Sequence, residues 1–150
     1  MHKPSNGTAT MKKQAKTDRF QSHDYYCVDE LFSEEHLLAR DAVREWVKSE
    51  VSPIIEDCFE NAKYPIHLFK ELGKIGAYGP SLPTKYGGGG MDEIAYGIMM
   101  QELERGDSGV RSAASVQGSL VMYPIYRFGS EEQRMKYLPK LASGEFIGCF

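Results

Sequence analysis

The residues best equipped for chemistry lie together between positions 102 and 112. Glu102, Glu104, Arg105, Asp107 and Arg111 place five charges in ten positions, and eight of residues 108–119 are Ser, Gly or Ala. Small side chains on a helix let a second backbone or a ligand come close. Arginine suits a forked grip on a carboxylate, and a charge-assisted contact of this kind contributes about 1.5–3 kcal/mol, roughly 10- to 150-fold in affinity. Two readings fit the segment. In one, it is a tight helix–helix contact and the charges are a solvated helix end. In the other, Arg111, beside the small Ser112, points into a cavity and meets an anion.

Other chemistries find less support. The run Gly87-Gly88-Gly89-Gly90 lacks the Lys-Ser/Thr that completes a phosphate loop, and no good strand precedes it, so it reads as a mobile surface turn. His2, His23, His36 and His67 form no metal-ligand spacing; His23 and Cys27 are four apart but have no third ligand. No serine sits in a Gly-x-Ser-x-Gly elbow, and no histidine is placed to activate Cys58 or Cys149. Cys58 on a helical stripe reads as a small buried hydrophobe.

The elements that must position these residues are helical. Ser33 predicts an N-cap, with Glu34 and Glu35 in the first turn and Leu38, Ala42, Val43, Trp46, Val47 and Val51 following at helical spacing. Pro53 stops or kinks that helix ahead of a continuation through Ile54, Ile55, Cys58 and Phe59. Pro65 opens a second helix bearing Leu68, Leu72 and Ile75, and the Gly79–Gly90 stretch is loop. Asp92 caps a third helix from Glu93 to about Arg105. A fourth runs from about Ser108 to Val121, with Pro124 marking its end. Ser130-Glu131-Glu132-Gln133 is a capping box for a fifth, which Pro139 closes. From Phe146 the pattern becomes a buried strand that the sequence cuts short, so the chain reads as the N-terminal part of a longer protein.

Composition sets the outer bounds. The 150 residues are 41% hydrophobic and 26% charged, as in ordinary globular domains, and no apolar run approaches a bilayer span. Three cysteines are too few and too scattered for a disulfide scaffold. The net charge of −3 is uneven: residues 1–24 carry five Lys/Arg against two Asp/Glu, and the acidic remainder has no basic stripe suited to nucleic acid. Residues 1–24 read as a disordered polar leader without a secretory h-region; a mitochondrial transit peptide is the alternative for this basic segment.

The segments Glu102-Leu103-Glu104-Arg105, Asp107-Ser108-Gly109, Arg111-Ser112 and Ser115-Val116-Gln117 resemble the acyl-CoA dehydrogenases. The likeness continues through Pro124-Ile125-Tyr126, Gly129-Ser130-Glu131-Glu132-Gln133 and Lys136-Tyr137-Leu138-Pro139, and covers about residues 30–150. The Asp-Ser-Gly-x-Arg-Ser-x-x-Ser-Val-Gln stretch narrows it to the glutaryl-CoA branch. The resemblance implies an all-α N-terminal helical domain over residues 25–144, with residues 145–150 opening a β domain, in an enzyme that is normally a homotetramer. It further implies FAD as cofactor, an acyl-CoA substrate (glutaryl-CoA, oxidised and decarboxylated to crotonyl-CoA and CO2), and an electron-transfer flavoprotein as acceptor. No nucleic acid or membrane span is implied, and the location is the bacterial cytoplasm, with the mitochondrial matrix second. Arg111 and Ser112 match the positions that hold the distal carboxylate, Glu104 matches their acidic neighbour, and Phe150 begins the flavin-contacting strip. The family's catalytic glutamate belongs to a later domain, so no catalytic residue is expected here, and no metal. Ala114 and Gly118 stand where the family is often bulkier and would enlarge the acyl cavity. The alternatives are a dehydrogenase of another dicarboxylic or branched acyl-CoA, and a non-catalytic helical interaction module.

Overall fold

Helix α1 (Glu34–Trp46) begins where the sequence signals it. Ser33 Oγ accepts from the His36 N–H at 3.3 Å, and His36 Nδ1 accepts from the Ser33 N–H at 3.2 Å, closing a reciprocal cap. Because Nδ1 is an acceptor, the ring hydrogen sits on Nε2, which donates to Asp92 at 2.9 Å. Asp92 is itself the N-cap of α4 (Glu93–Gly106), accepting from the Ala95 N–H at 2.9 Å. That backbone bond, and then His36, hold the Asp92 carboxyl below its ordinary value. Two helix starts are thereby tied to one imidazole. The structure, a computed structural model, describes residues 25–149; the leader expected over residues 1–24 and the role expected of Phe150 lie outside those residues.

The inward stripe of α1 is His36 and Val43, continuing as Val47 and Val51; Leu38, expected on that stripe, is exposed. Short helices α2 (Ile55–Glu60) and α3 (Leu68–Lys74) follow, then α4, α5 (Ser108–Ser115), α6 (Tyr123–Phe128) and α7 (Glu131–Ala142). Val43, Val51, Leu68, Leu72, Leu103, Val110, Ala114, Met122 and Leu138 fill one core between them. Ser130 and Gln133 form the expected reciprocal cap on α7. Residues 145–149 adopt no regular element, and the strand expected from residue 146 has no partner strand among the described residues.

Pro53 keeps its expected role, the helix ending at Val51 and resuming as α2 from Ile55, whereas Pro124 and Pro139 depart from theirs. Proline lacks an N–H and crowds the carbonyl four residues back, which ordinarily ends a helix. Ahead of Pro53 and Pro124 the chain widens into π turns, Val47–Val51 and Val116–Met122, whose bonds reach five residues back: Ser52 N–H donates to the Val47 carbonyl and Tyr123 N–H to that of Gly118. The wider turn accommodates the ring, so the helix from Ser108 runs past Pro124 into α6 instead of stopping near Val121. Pro139 likewise lies inside α7, because Leu138, Leu141 and Ala142 bury the last turn in the core.

The glycine run is at the surface but tied down. Gly89, Gly90 and Met91 donate to the carbonyls of Gly79, Leu82 and Pro80, and a Cβ on Gly88 would meet the Leu82 carbonyl oxygen at 2.1 Å. Glycine is needed here for close backbone approach, in place of the mobile turn expected.

Helices α1 and α4 are fastened by a buried ion pair. The Glu102 side chain is only 4% exposed and accepts from Arg44 Nε at 2.9 Å and Nη2 at 2.7 Å, with Arg105 Nη1 at 3.3 Å as a third donor. These bonds raise the Arg44 pKa against the opposing effect of burial. Removing one partner of such a pair leaves an uncompensated charge. Glu102→Ala should therefore lower stability by about 3 kcal/mol in urea unfolding, with Glu102→Gln, which keeps one acceptor, losing less.

Candidate functional site

A single residue turns the chain so that Glu104 and Arg111 meet. Asp107 is both the C-cap of α4 and the N-cap of α5, in extended backbone, and its side chain accepts from the Val110 N–H at 2.8 Å. Across this corner, Arg111 Nε donates to Glu104 Oε2 at 2.6 Å, and Ser108 Oγ donates to Glu104 Oε1 at 2.6 Å. Arg111 Nη1 donates to Ser115 Oγ at 3.3 Å, and Ser115 in turn donates to the Ser112 carbonyl at 3.1 Å. The structure thus brings Arg111 and Glu104 together and sets Ser112 beside them. Residue type alone gives Ser108 and Ser115 no role at this corner. Their signal was spacing: each lies four residues from a charged partner, one helical turn away.

Arg111 is half-buried, its side chain 34% exposed against 45% for Glu104. It does not line the half-open cleft of about 370 Å³, whose walls include Tyr78, Leu82, Glu93, Tyr96, Ser119 and Tyr123. A stripe connects the two: Arg111, Ser115 and Ser119 recur at every fourth position, and Ser119 Oγ donates to the Ser115 carbonyl. Gly118 also borders the cleft, but its absent side chain serves packing, since a Cβ there would stand 2.4 Å from the Tyr78 carbonyl oxygen. Ala114 is buried in the core away from the cleft. Ala114 therefore does not enlarge this cleft, as had been expected, and Gly118 is held as glycine by the Tyr78 backbone.

The charges at the corner are simple. Arg111 and then Ser108 hold the Glu104 carboxyl below its ordinary value through hydrogen bonds. Burial, and then the Asp107 charge, push the Tyr64 hydroxyl up to about 12. Glu104 is depressed in the fold, so its stabilising contribution is present above the ordinary carboxylate pKa and fades as pH falls through the lowered one. A carbon-detected NMR titration of this carboxyl should place its midpoint below that of exposed glutamates. Arg111→Met should move the midpoint back up.

Residues 33–145 match the acyl-CoA dehydrogenase N-terminal domain family. An acyl-CoA dehydrogenase of Bacillus subtilis is 37% identical over 118 residues, which are 79% of this chain and 31% of the relative. Among solved structures, a glutaryl-CoA dehydrogenase from Mycobacterium smegmatis in complex with FADH2 superposes with a TM-score of 0.78 at 43% identity, over 81% of this chain and 31% of the other. A chain from a structure described as the electron transferring flavoprotein of Acidaminococcus fermentans gives a TM-score of 0.75 at 31% identity, over 77% and 30% respectively. The chain therefore spans about a third of the length of these relatives. The family match, and helices in the same arrangement as in these neighbours, establish that this chain belongs to the acyl-CoA dehydrogenase family and has the fold of its N-terminal helical domain.

Proposed function

We propose that this chain is the N-terminal part of an FAD-dependent acyl-CoA dehydrogenase whose substrate carries a second carboxylate at the far end of its acyl chain, glutaryl-CoA above all. The observation that carries the reading is the state of Arg111. It is half-buried and immobilised through Nε and Nη1, and among the described residues nothing is bonded to Nη2. A guanidinium held this way presents a preorganised donor to a carboxylate. In this reading Arg111 binds the distal carboxylate, Glu104 and Ser115 fix the guanidinium plane, and Ser112 borders the same contact. The 43% identity to a glutaryl-CoA dehydrogenase supports this choice of substrate.

The described residues suit an acyl chain better than a whole dinucleotide. The cleft of about 370 Å³ is near the small end of ligand pockets, and its walls are mostly apolar or aromatic. FAD would therefore lie in the remainder of the enzyme and touch this segment at its edge, with Phe150 as the first contact. When bound, it supplies the hydride acceptor for α,β-oxidation. What this chain contributes is binding and orientation: it anchors the far end of the substrate, which restricts the reacting carbons to fewer positions. The general base belongs to the later part of the enzyme, where decarboxylation to crotonyl-CoA would also be completed. The segment from residue 145 would open the β domain that follows. Transfer of electrons to an electron-transfer flavoprotein, a homotetramer and a cytoplasmic location complete the reading. Among the described residues no helix is long and apolar enough to cross a membrane.

A plain fatty acyl chain offers Arg111 no partner, so discrimination works through the unmet donor as well as through attraction. In the full-length enzyme, Arg111→Met should raise KM for glutaryl-CoA by about 10- to 150-fold, the equivalent of one charge-assisted hydrogen bond. Turnover of butyryl-CoA should change little. Equal losses on both substrates would assign Arg111 to packing instead.

A further inference from the structure

Gln117 is 1% exposed, and its amide is nearly saturated. Nε2 donates to the carbonyls of Leu141 at 2.9 Å and Phe146 at 2.7 Å, and Oε1 accepts from the Gly148 N–H at 2.8 Å. Both donors and one lone pair are therefore used. All three partners are backbone groups at or beyond the last turn of α7, and those at Phe146 and Gly148 lie where no helix or sheet satisfies them. The rest of the crossing is consistent with a strap laid on the π turn. Phe146 N–H donates to the Lys140 carbonyl at 3.0 Å, and Gly148 lies so close to Val121 that a Cβ would approach its side chain to 2.4 Å.

The neighbours of Gln117 make this contact more than local. Two residues earlier, Ser115 holds Arg111; one and two residues later, Gly118 and Ser119 border the cleft. The π turn thus presents one face to the candidate substrate site and another to the strap by which the chain leaves the helical domain. We propose that Gln117 is a positioning residue: it fixes where the residues after Gly148 depart relative to Arg111, and through them the placement of the flavin edge. This inference rests on the functional reading above.

Hydrogen exchange and flavin release together test it. In the full-length enzyme, Gln117→Leu should speed exchange of the Gly148 amide by tenfold or more while the amides of α4 keep their protection. The same substitution should speed loss of FAD on dilution by a similar factor. Gln117→Glu adds a signature that general loosening would not produce. Ionised, it faces two carbonyls without a donor; protonated, it donates to one and still accepts from Gly148, so its FAD release should slow as pH falls, unlike wild type. If Gln117→Leu does not fold, this pH series decides alone. Unchanged Gly148 exchange, or unchanged FAD release beside faster exchange, or a flat pH profile in Gln117→Glu overturns the inference. A wild-type enzyme that carries no flavin would instead overturn the functional reading, and with it the link from Gln117 to the flavin.

Discussion

Everything about the candidate site depends on how α4 is held, and one buried carboxylate holds it. Glu102 takes two hydrogen bonds from Arg44 of α1 and a third from Arg105, in a position almost closed to water. Residues two apart on a helix point about 200° apart, so Glu104 faces the opposite way, toward α5. The same helix therefore carries two acids with different tasks. Glu102 locks the helix to α1, and Glu104, presented at a fixed angle by that lock, meets Arg111 across the Asp107 corner. Precision at the arginine is inherited from burial at its neighbour.

The charge-dense segment shows how far a sequence can be read and where reading fails. The segment divides in a way neither reading described: Glu102 and Arg105 join a buried ion pair rather than a solvated helix end, while Arg111 pairs with Glu104 at the corner. A linear pattern presents these charges as one group, and only the direction of each side chain around α4 separates them. The helix starts were legible at Ser33, Asp92 and Ser130, because a cap is a local bond whose partners lie three residues apart. Helix ends were less so. At Pro124 and Pro139 the local rule was overridden by a wider turn and by core burial, neither of which is written near the proline itself.

Long-range contacts to backbone left still less trace. Gln117 bonds groups 24 to 31 residues away, and Gly118 is small because the Tyr78 carbonyl lies against it. Nothing in the flanking sequence distinguishes that glycine from one that merely leaves space. Arg111, by contrast, stands out by residue type, because a guanidinium suits a carboxylate, whereas Glu104 is singled out only by the family resemblance.

The pairing of Glu104 with Arg111 also shapes what the site can discriminate. A lone buried guanidinium would reject every neutral acyl chain strongly, because its charge would be left without a partner. Here Glu104 already compensates that charge, and partial exposure of both side chains softens the penalty further. On the proposed reading, selectivity then comes from what remains: a donor at Nη2, held in place, which a distal carboxylate can engage and a methyl group cannot. The preference is set by one oriented hydrogen bond to a charged group rather than by the full energy of a bare ion pair. A site built in this way favours the two-headed substrate while still tolerating an ordinary acyl chain, and it needs no rearrangement of the protein to do so.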